Sequence, residues 1–417
     1  MVNVLLTPRG RLLRFEAVPP QKDNATGAAP APDWAPLFAA AGLQPADFRP
    51  VPPQWFPLAW GDTRAAWEGS FPERREIPLR IEAAAYRGKP IYFDLIPPWN
   101  RATRMQPASS RPGSNFGQWF SIGFLLTLIF GGSWVAYRNL RLARGDFRGA
   151  LRLALFVLLV SIFNAELLAH HVPDQYEQFI FIMAVSMGLF FAALIWMLYI
   201  AIEPYVRRRW PDTLISWTRM LAGQFRDPVV GRDLLVGIFS GVLSSVFGHF
   251  QRFVEVALHK APARPQGFSS LTIEGLRGSL ATLVYQATQS LSTALGIFFL
   301  FFLMRLIFRK NWIAAIATVL LFCLPSLGAT NPAVDFLFSV PVIAVFLLIL
   351  LRFGLLALAA TVMAEGLADF MPITTPLTAW YAEGGVFAML ALVLLAAYGF
   401  QIARAGKPLF GGHILDA

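Results

Sequence analysis

Residues 178–210 read QFIFIMAVSMGLFFAALIWMLYIAIEPYVRRRW. Positions 178–202 carry no charged side chain. That is the length of apolar chain a helix needs to cross about 30 Å of hydrocarbon. The run then meets Glu203 and three consecutive arginines, Arg207, Arg208 and Arg209, followed by Trp210. An apolar run closed by a basic and aromatic collar is the pattern of a transmembrane helix that stops at an interface.

The same pattern recurs from Gln118 to the C-terminus. It predicts nine spans, at about 118–137, 150–170, 178–202, 233–257, 280–304, 312–329, 334–351, 353–370 and 384–403. The seventh and eighth are divided only by Arg352 and Gly354. Composition agrees. The 417 residues are 56% hydrophobic and 14% charged, with a mean hydropathy of +0.54. Soluble domains are about 25% charged. These values exclude disorder, collagen-like repeats and a plain soluble enzyme. One cysteine, Cys323, excludes an intramolecular disulfide. The net charge of +10 is mostly arginine beside apolar runs, which is a topology signal and not a nucleic-acid footprint.

Residues 1–112 differ from the rest. They contain many prolines, scattered charges and no apolar run long enough to span. Val2–Thr7 and Arg11–Val18 read as one hairpin, and Ile77–Tyr86 with Pro90–Ile96 as a second across Arg87-Gly88. Trp34–Leu43 reads as a short helix ending near Gly42, and Arg101–Pro112 as a polar tether. The expected fold is therefore mainly α: a polytopic helical membrane domain, 113–417, behind a small α+β domain, 1–112.

Arginines set the expected orientation. The loop after span one holds Arg138, Arg141, Arg144, Arg148 and Arg152; the loop after span three holds Arg207, Arg208, Arg209, Arg219, Arg226 and Arg232. Span five exits at Arg305, Arg309 and Lys310, and the chain ends with Arg404 and Lys407. The intervening loops 171–177 and 327–333 have no Lys or Arg. The positive-inside rule then puts the N-terminal domain outside a bacterial inner membrane and the C-terminus in the cytoplasm. Lys260, Arg264 and Arg277 are the exception. An external N-terminal domain without a signal peptide implies a further spanning helix upstream of Met1.

Three stretches are distinctive: Glu203-Pro-Tyr-Val-Arg-Arg-Arg-Trp-Pro211, Leu214-Ile-Ser-Trp-Thr-Arg219 and Arg226-Asp-Pro-Val-Val-Gly-Arg-Asp233. They resemble the C-terminal membrane region of acidobacterial-type serine/threonine protein kinases. So do Pro8-Arg-Gly-Arg-Leu-Leu-Arg-Phe-Glu-Ala-Val-Pro-Pro20, Arg64-Ala-Ala-Trp-Glu-Gly69 and Glu82-Ala-Ala-Ala-Tyr-Arg-Gly-Lys-Pro90. The resemblance implies a kinase domain, in cis or in trans, as partner, and a sensory or regulatory role with an unidentified small ligand. The chain itself has no Gly-rich loop, no H-R-D and no D-F-G. Kinase activity is not implied for these residues, and no cofactor site is expected.

Ionisable groups inside the spans are the candidate sites. Glu365 and Asp369 are four residues apart, hence on one helical face. They suit cation or proton binding, which keeps an ion-coupled transporter open as an alternative. His249, Arg252, Glu255 and His259 follow three-three-four steps at the end of span four. With Glu166, His170 or His171 from span two they could form a metallohydrolase site, a second alternative. The bland reading is an Arg252–Glu255 pair at a wetted helix end. Gln286, Gln289 and Ser290 read as interhelical glue. Residues 205–232 read as an amphipathic cytoplasmic segment, with Arg207, Arg208, Arg209, Trp210 and Trp217 as contacts for anionic lipid or a docking partner.

Overall fold

The computed structural model describes residues 1–23, 27, 29–100, 102, 104, 116–171, 173–260 and 269–405. Most of the expected tether at 101–112, together with Arg264 and Lys407, lies outside the described residues. The chain divides into two units, Met1–Ser109 and Ser110–Ala417.

The first unit is a six-stranded antiparallel sheet with one helix. In chain order come β1 (Val2–Leu6), β2 (Leu12–Ala17), α1 (Ala35–Ala41), β3 (Arg49–Val51), β4 (Thr63–Phe71), β5 (Arg74–Tyr86) and β6 (Lys89–Ile96). The sheet order is β1-β2-β6-β5-β4-β3. Both expected hairpins form. Arg87 and Gly88 have φ of 49° and 76°, the paired positive values of a tight turn that matches strand twist. Gly42, left-handed at φ 71°, ends α1. Strict alternation in β5 sends Leu79, Ile81 and Ala83 to one face, where Phe38 of α1 packs edge-on against Trp67 and Phe93. The other face carries buried charge. Arg14 pairs with Asp94 at 3.0 Å, and Arg80 bridges Glu82 at 2.8 Å and Glu68 at 2.7 Å. The segment before β4 straps this face: Gln54 N donates to Glu82 at 2.9 Å and Arg80 donates to the Pro52 carbonyl at 2.6 Å.

The second unit contains α2 (Phe116–Arg141), α3 (Phe147–Leu168), α4 (Tyr176–Arg209), α5 (Ile215–Leu221), α6 (Pro228–Ala257), α7 (Leu276–Phe308), α8 (Asn311–Cys323), α9 (Pro332–Arg352), α10 (Leu355–Phe370) and α11 (Ala382–Ala403). The fold is thus mainly α and polytopic, with a small antiparallel-sheet domain. All nine expected segments are helical. Among the described residues, eight helical segments are long and apolar enough to cross a membrane, α8 reaching 18 residues only with the 3-10 turn Leu324–Gly328 that continues it; α10 is the ninth and, at 16 residues, falls short. Sixteen residues rise about 24 Å, less than the hydrocarbon core. Burial explains how a short helix is tolerated. Ten α10 residues are buried, so most of its length meets protein.

The division between α9 and α10 falls at Phe353-Gly354. Gly354 has φ 98°, and a Cβ there would lie 2.3 Å from the Thr213 carbonyl oxygen. Only glycine fits both the turn and that approach. Alpha-helices α6 and α10 are equally close. A Cβ added at Gly237 would lie 2.5 Å from the Ala357 carbonyl oxygen, and one at Gly241 would lie 2.3 Å from that of Thr361. Two apolar cores result. The larger draws on α2 to α10 and includes Leu355–Ala359; the smaller joins α6 and α11 to Ala364 and Leu367. Helix α10 belongs to both.

Helix ends gather at two sides of the bundle. On one, Asp146 N donates to Glu203, Arg152 to the Leu221 carbonyl and Tyr398 to the Phe225 carbonyl. On the other, Arg277 donates to the carbonyls of Glu166 and Ala169, and Ser269 N to that of Phe370. The arginine-rich loops all fall on the first side, as their alternation along the chain requires.

Helix α4 runs past its expected end at 202 and through Pro204. Proline has no N–H, so the Ile200 carbonyl loses its helical partner. Asn139 supplies the replacement. Its Nδ2 donates to Ile200 O at 2.9 Å and to Ala201 O at 3.1 Å, with the side chain 1% exposed. Asn139→Leu leaves the Ile200 carbonyl unpaired and costs about 1–3 kcal/mol. In the Pro204→Ala background the helix repairs itself, so the same change costs less than half as much. Equilibrium unfolding of the four proteins in mixed micelles measures this coupling; additive effects would remove the Asn139–Pro204 relationship.

Candidate functional site

The candidate site is a polar cavity of about 280 Å³ between α6, α9 and α10, with Phe322 of α8 at its wall. Helix α6 contributes Ser244, Ser245, His249, Gln251 and Arg252; α9 contributes Asp335 and Ser339; α10 contributes Glu365 and Asp369. Two expected clusters, one on each of α6 and α10, therefore form a single site. The glycines of the α6–α10 contact bring them together, because the helices meet backbone to backbone one turn away.

Asp369 Oδ1 accepts from Ser245 Oγ at 2.5 Å and lies 3.6 Å from His249 Nδ1. His249 Nδ1 is itself 2.8 Å from the Ser245 carbonyl oxygen. Glu365 lines the cavity one turn below Asp369 and makes no hydrogen bond or ion pair among the described residues. Glu255 sits beside the cavity and is fully buried. Gln251 Nε2 donates to it at 3.2 Å and Asn331 Nδ2 at 3.1 Å. Gln251 also donates to Asp335 at 2.5 Å. The expected Arg252–Glu255 pair does not form. Amides satisfy Glu255 from two sides, and Arg252 turns to the cavity wall instead. Three lining carboxylates face one guanidinium, so the lining carries excess negative charge when all are ionised. The arrangement can hold a cation or pass a proton between acids.

The other expected partners stand apart. His259 lies beyond the end of α6 and is exposed. Glu166 and His170 are exposed at the end of α3, and His171 pairs with Glu166 at 3.1 Å and Glu177 at 2.8 Å. Their helix, α3, packs chiefly on α4 and α7. Among the described residues no three His, Cys, Asp or Glu side chains converge on a possible metal ion. A metal-centred constellation is not assembled there. Gln286 is buried against Gly366 of α10 but makes no side-chain hydrogen bond across the interface among the described residues, and Ser290 bonds within its own helix to the Ala287 carbonyl.

At the arginine-rich end the segment 205–232 departs from its expected surface position. Trp217 is fully buried, with Thr213, Leu214 and Ser216, and belongs to the larger core. Its bulk is consumed by packing, so Trp217 is no docking contact. Trp210 is half-buried against Phe298 and Phe301. Arg207 pairs with buried Glu203 at 2.6 Å, whereas Arg208 and Arg209 are exposed. Asp227 caps α6 by accepting from Val229 N, and the Arg219 guanidinium at 2.7 Å holds its carboxyl below the usual range.

What the expectations missed is the joining contact itself. Its signal was present: Gly237 and Gly241 form the G-x-x-x-G spacing that lets two helices approach closely.

His171 gives a pH test outside the spans. The hydrogen bond to Glu177, and then its charge, raise the imidazole above its ordinary value of 6.5. A raised value means that protonation stabilises the folded chain. The contribution is complete below about pH 6.5 and is lost as pH rises through the folded value. His171→Gln should therefore lower thermal stability at pH 5.5 and leave it unchanged at pH 9. An equal loss at both values would show that the imidazolium contributes nothing.

No family model matches this chain, and no curated protein and no solved structure is significantly similar to it.

Proposed function

We propose that the membrane domain is a regulatory module. It takes a small cationic ligand in the carboxylate-lined cavity and conveys occupancy along α10 to the arginine-rich end. There a serine/threonine kinase domain, in cis or in trans, is the partner that responds. The arginine-rich end faces the cytoplasm of a bacterial inner membrane in this reading, and the N-terminal domain lies outside.

One observation carries the proposal: α10 has one end in each region. Asp369 and Glu365 line the cavity, while Gly354, at the N-terminus, abuts the Thr213 carbonyl beside buried Trp217. Its two halves belong to different cores. A helix of 16 residues moves as a rod, so a shift at Asp369 reaches Thr213 without an intervening hinge. A cation that replaces Ser245 as the partner of Asp369 supplies the differential interaction that such a shift requires.

Hydrogen exchange across residues 211–221 tests this, with inorganic and small organic cations added singly to protein in lipid nanodiscs. At least one cation should change exchange there in the wild type and not in Asp369→Asn. If none alters it, the regulatory reading fails.

Glu365 favours a second reading, because an unpartnered carboxyl in a membrane cavity is also what an ion-coupled transporter needs. Proteoliposome assays separate the two. Ion or proton flux that falls at least ten-fold in Glu365→Gln supports transport; no flux above protein-free vesicles removes it.

A further inference from the structure

A second cavity, of about 690 Å³, runs as a groove between α6 and α11, with Ala368 of α10 in its lining. It follows α6 from Ile238 to Phe253, about 22 Å at 1.5 Å per residue. Val246, Phe250, Phe253, Met389 and Val393 line it and are exposed, where lipid tails reach them. Among the described residues its only polar lining is Ser245 and His249. Both also line the carboxylate cavity, so the two spaces meet at these side chains.

The acceptor at that junction is within reach. The Asp369 side chain is 26% exposed, and that of His249, 3.6 Å from it, is 50% exposed. Lipid tails are as apolar as the groove, so its wall by itself selects no occupant. Charge does. Glu365 and Asp335 join Asp369 in the adjoining cavity, against one guanidinium, that of Arg252. A cation leaves water for hydrocarbon only where such carboxylates receive it. Among the described residues no Lys or Arg lines the groove. In a zwitterionic phospholipid the phosphate lies between the ammonium and the tails. It would rest against Val246 and Phe250 without a partner, which is costly. The fit is therefore to a tail joined directly to its cationic head.

We propose that the cation taken by the carboxylate cavity is a lipophilic primary amine that enters sideways from the bilayer. Its ammonium passes His249 and pairs with Asp369 in place of Ser245. A primary ammonium has three N–H donors, enough for Asp369 and Glu365 together. Its tail lies along α6 from His249 back to Ile238, about 16 Å, toward the arginine-rich end. This inference rests on the reading of the cavity as a cation site and adds the ligand's chemical class and its route.

The test is equilibrium binding of radiolabelled dodecylamine, 1-dodecanol and dodecanoate to the full chain in phosphatidylcholine nanodiscs at neutral pH, with protein-free discs as blank. The amine should bind saturably and at least about ten-fold more tightly than the alcohol, the value of one charge-assisted hydrogen bond. Asp369→Asn should lower that ratio at least roughly three-fold; Glu365→Gln serves if Asp369→Asn fails to fold by thermal unfolding. Val393→Trp, in the groove and outside the carboxylate cavity, should weaken amine binding. Amine binding no greater than in blank discs, a ratio near one, a ratio unchanged in the carboxylate variant, undiminished binding to Val393→Trp, dodecanoate binding more tightly than the amine, or displacement of the amine by phosphatidylethanolamine would each overturn the assignment. Binding is read directly, so the two readings fail separately. Saturable amine binding with unchanged exchange at 211–221 supports this inference and counts against regulation. An inorganic cation that alters that exchange while dodecylamine does not bind overturns this inference alone.

Discussion

The close backbone approach of α6 to α10 is the constraint on which the membrane domain depends. Gly237 and Gly241 have no Cβ, and the carbonyls of Ala357 and Thr361 occupy the space that a Cβ would take. Lipid tails are as apolar as leucine, so burying leucine gives helices little reason to associate. Close packing and polar contacts must supply it. The next turns of α6 use the proximity differently. Ser245 reaches Asp369 and His249 comes within 3.6 Å of the same oxygen. The polar cavity is thus a consequence of the glycine contact, since side chains this short meet only when backbones nearly touch.

Polar groups elsewhere follow the same accounting. Pro204 removes one N–H from α4, and Asn139 from α2 repays it with two hydrogen bonds. In the N-terminal domain the strap at 52–61 turns a charged sheet face into a buried one. Glu82 accepts from Arg80 and from Gln54 N, but its second carboxylate oxygen is buried without a partner. Buried ion pairs return little net stability against their desolvation. Their use here is register: Arg80 fits only where the Pro52 carbonyl, Glu68 and Glu82 converge. The phenol of Tyr92 shows the environment. Burial, and then the charge of Asp94, push its ionisation upward.

Helix positions were legible in the sequence because apolar length and arginine collars are local signals. All nine segments are present, and Arg352-Phe353-Gly354 does separate α9 from α10. The hairpins at 2–17 and 77–96 were legible for the same reason, through alternation and turn glycines. Strands β3 and β4 were not, because Arg64-Ala-Ala-Trp-Glu-Gly69 alternates weakly and gains its strand form from pairing with β5. Half of the candidate site was readable: Glu365 and Asp369 on one face, His249 and Arg252 on another. Their convergence, and the roles of Ser245 and Gln251, depend on interhelical distance, which periodicity does not encode. Trp217 was misplaced because a seven-residue amphipathic helix looks alike on a membrane surface and against a core.

The shortness of α10 follows from where it lies. A lipid-facing helix must cover the hydrocarbon thickness; a helix enclosed by α6, α7, α9 and α11 need only satisfy its own ends. At one end Gly354 N donates back to the carbonyls of Ile349 and Leu350, and at the other the Phe370 carbonyl accepts from Ser269 N. Each half then joins a separate core, with Leu355–Ala359 in the larger and Ala364 and Leu367 in the smaller. Packed cores resist continuous deformation and shift between discrete arrangements. A rod shared by two such cores ties their arrangements together. The segment that falls short of crossing the membrane is therefore the one that runs from the carboxylate cavity to the arginine-rich end.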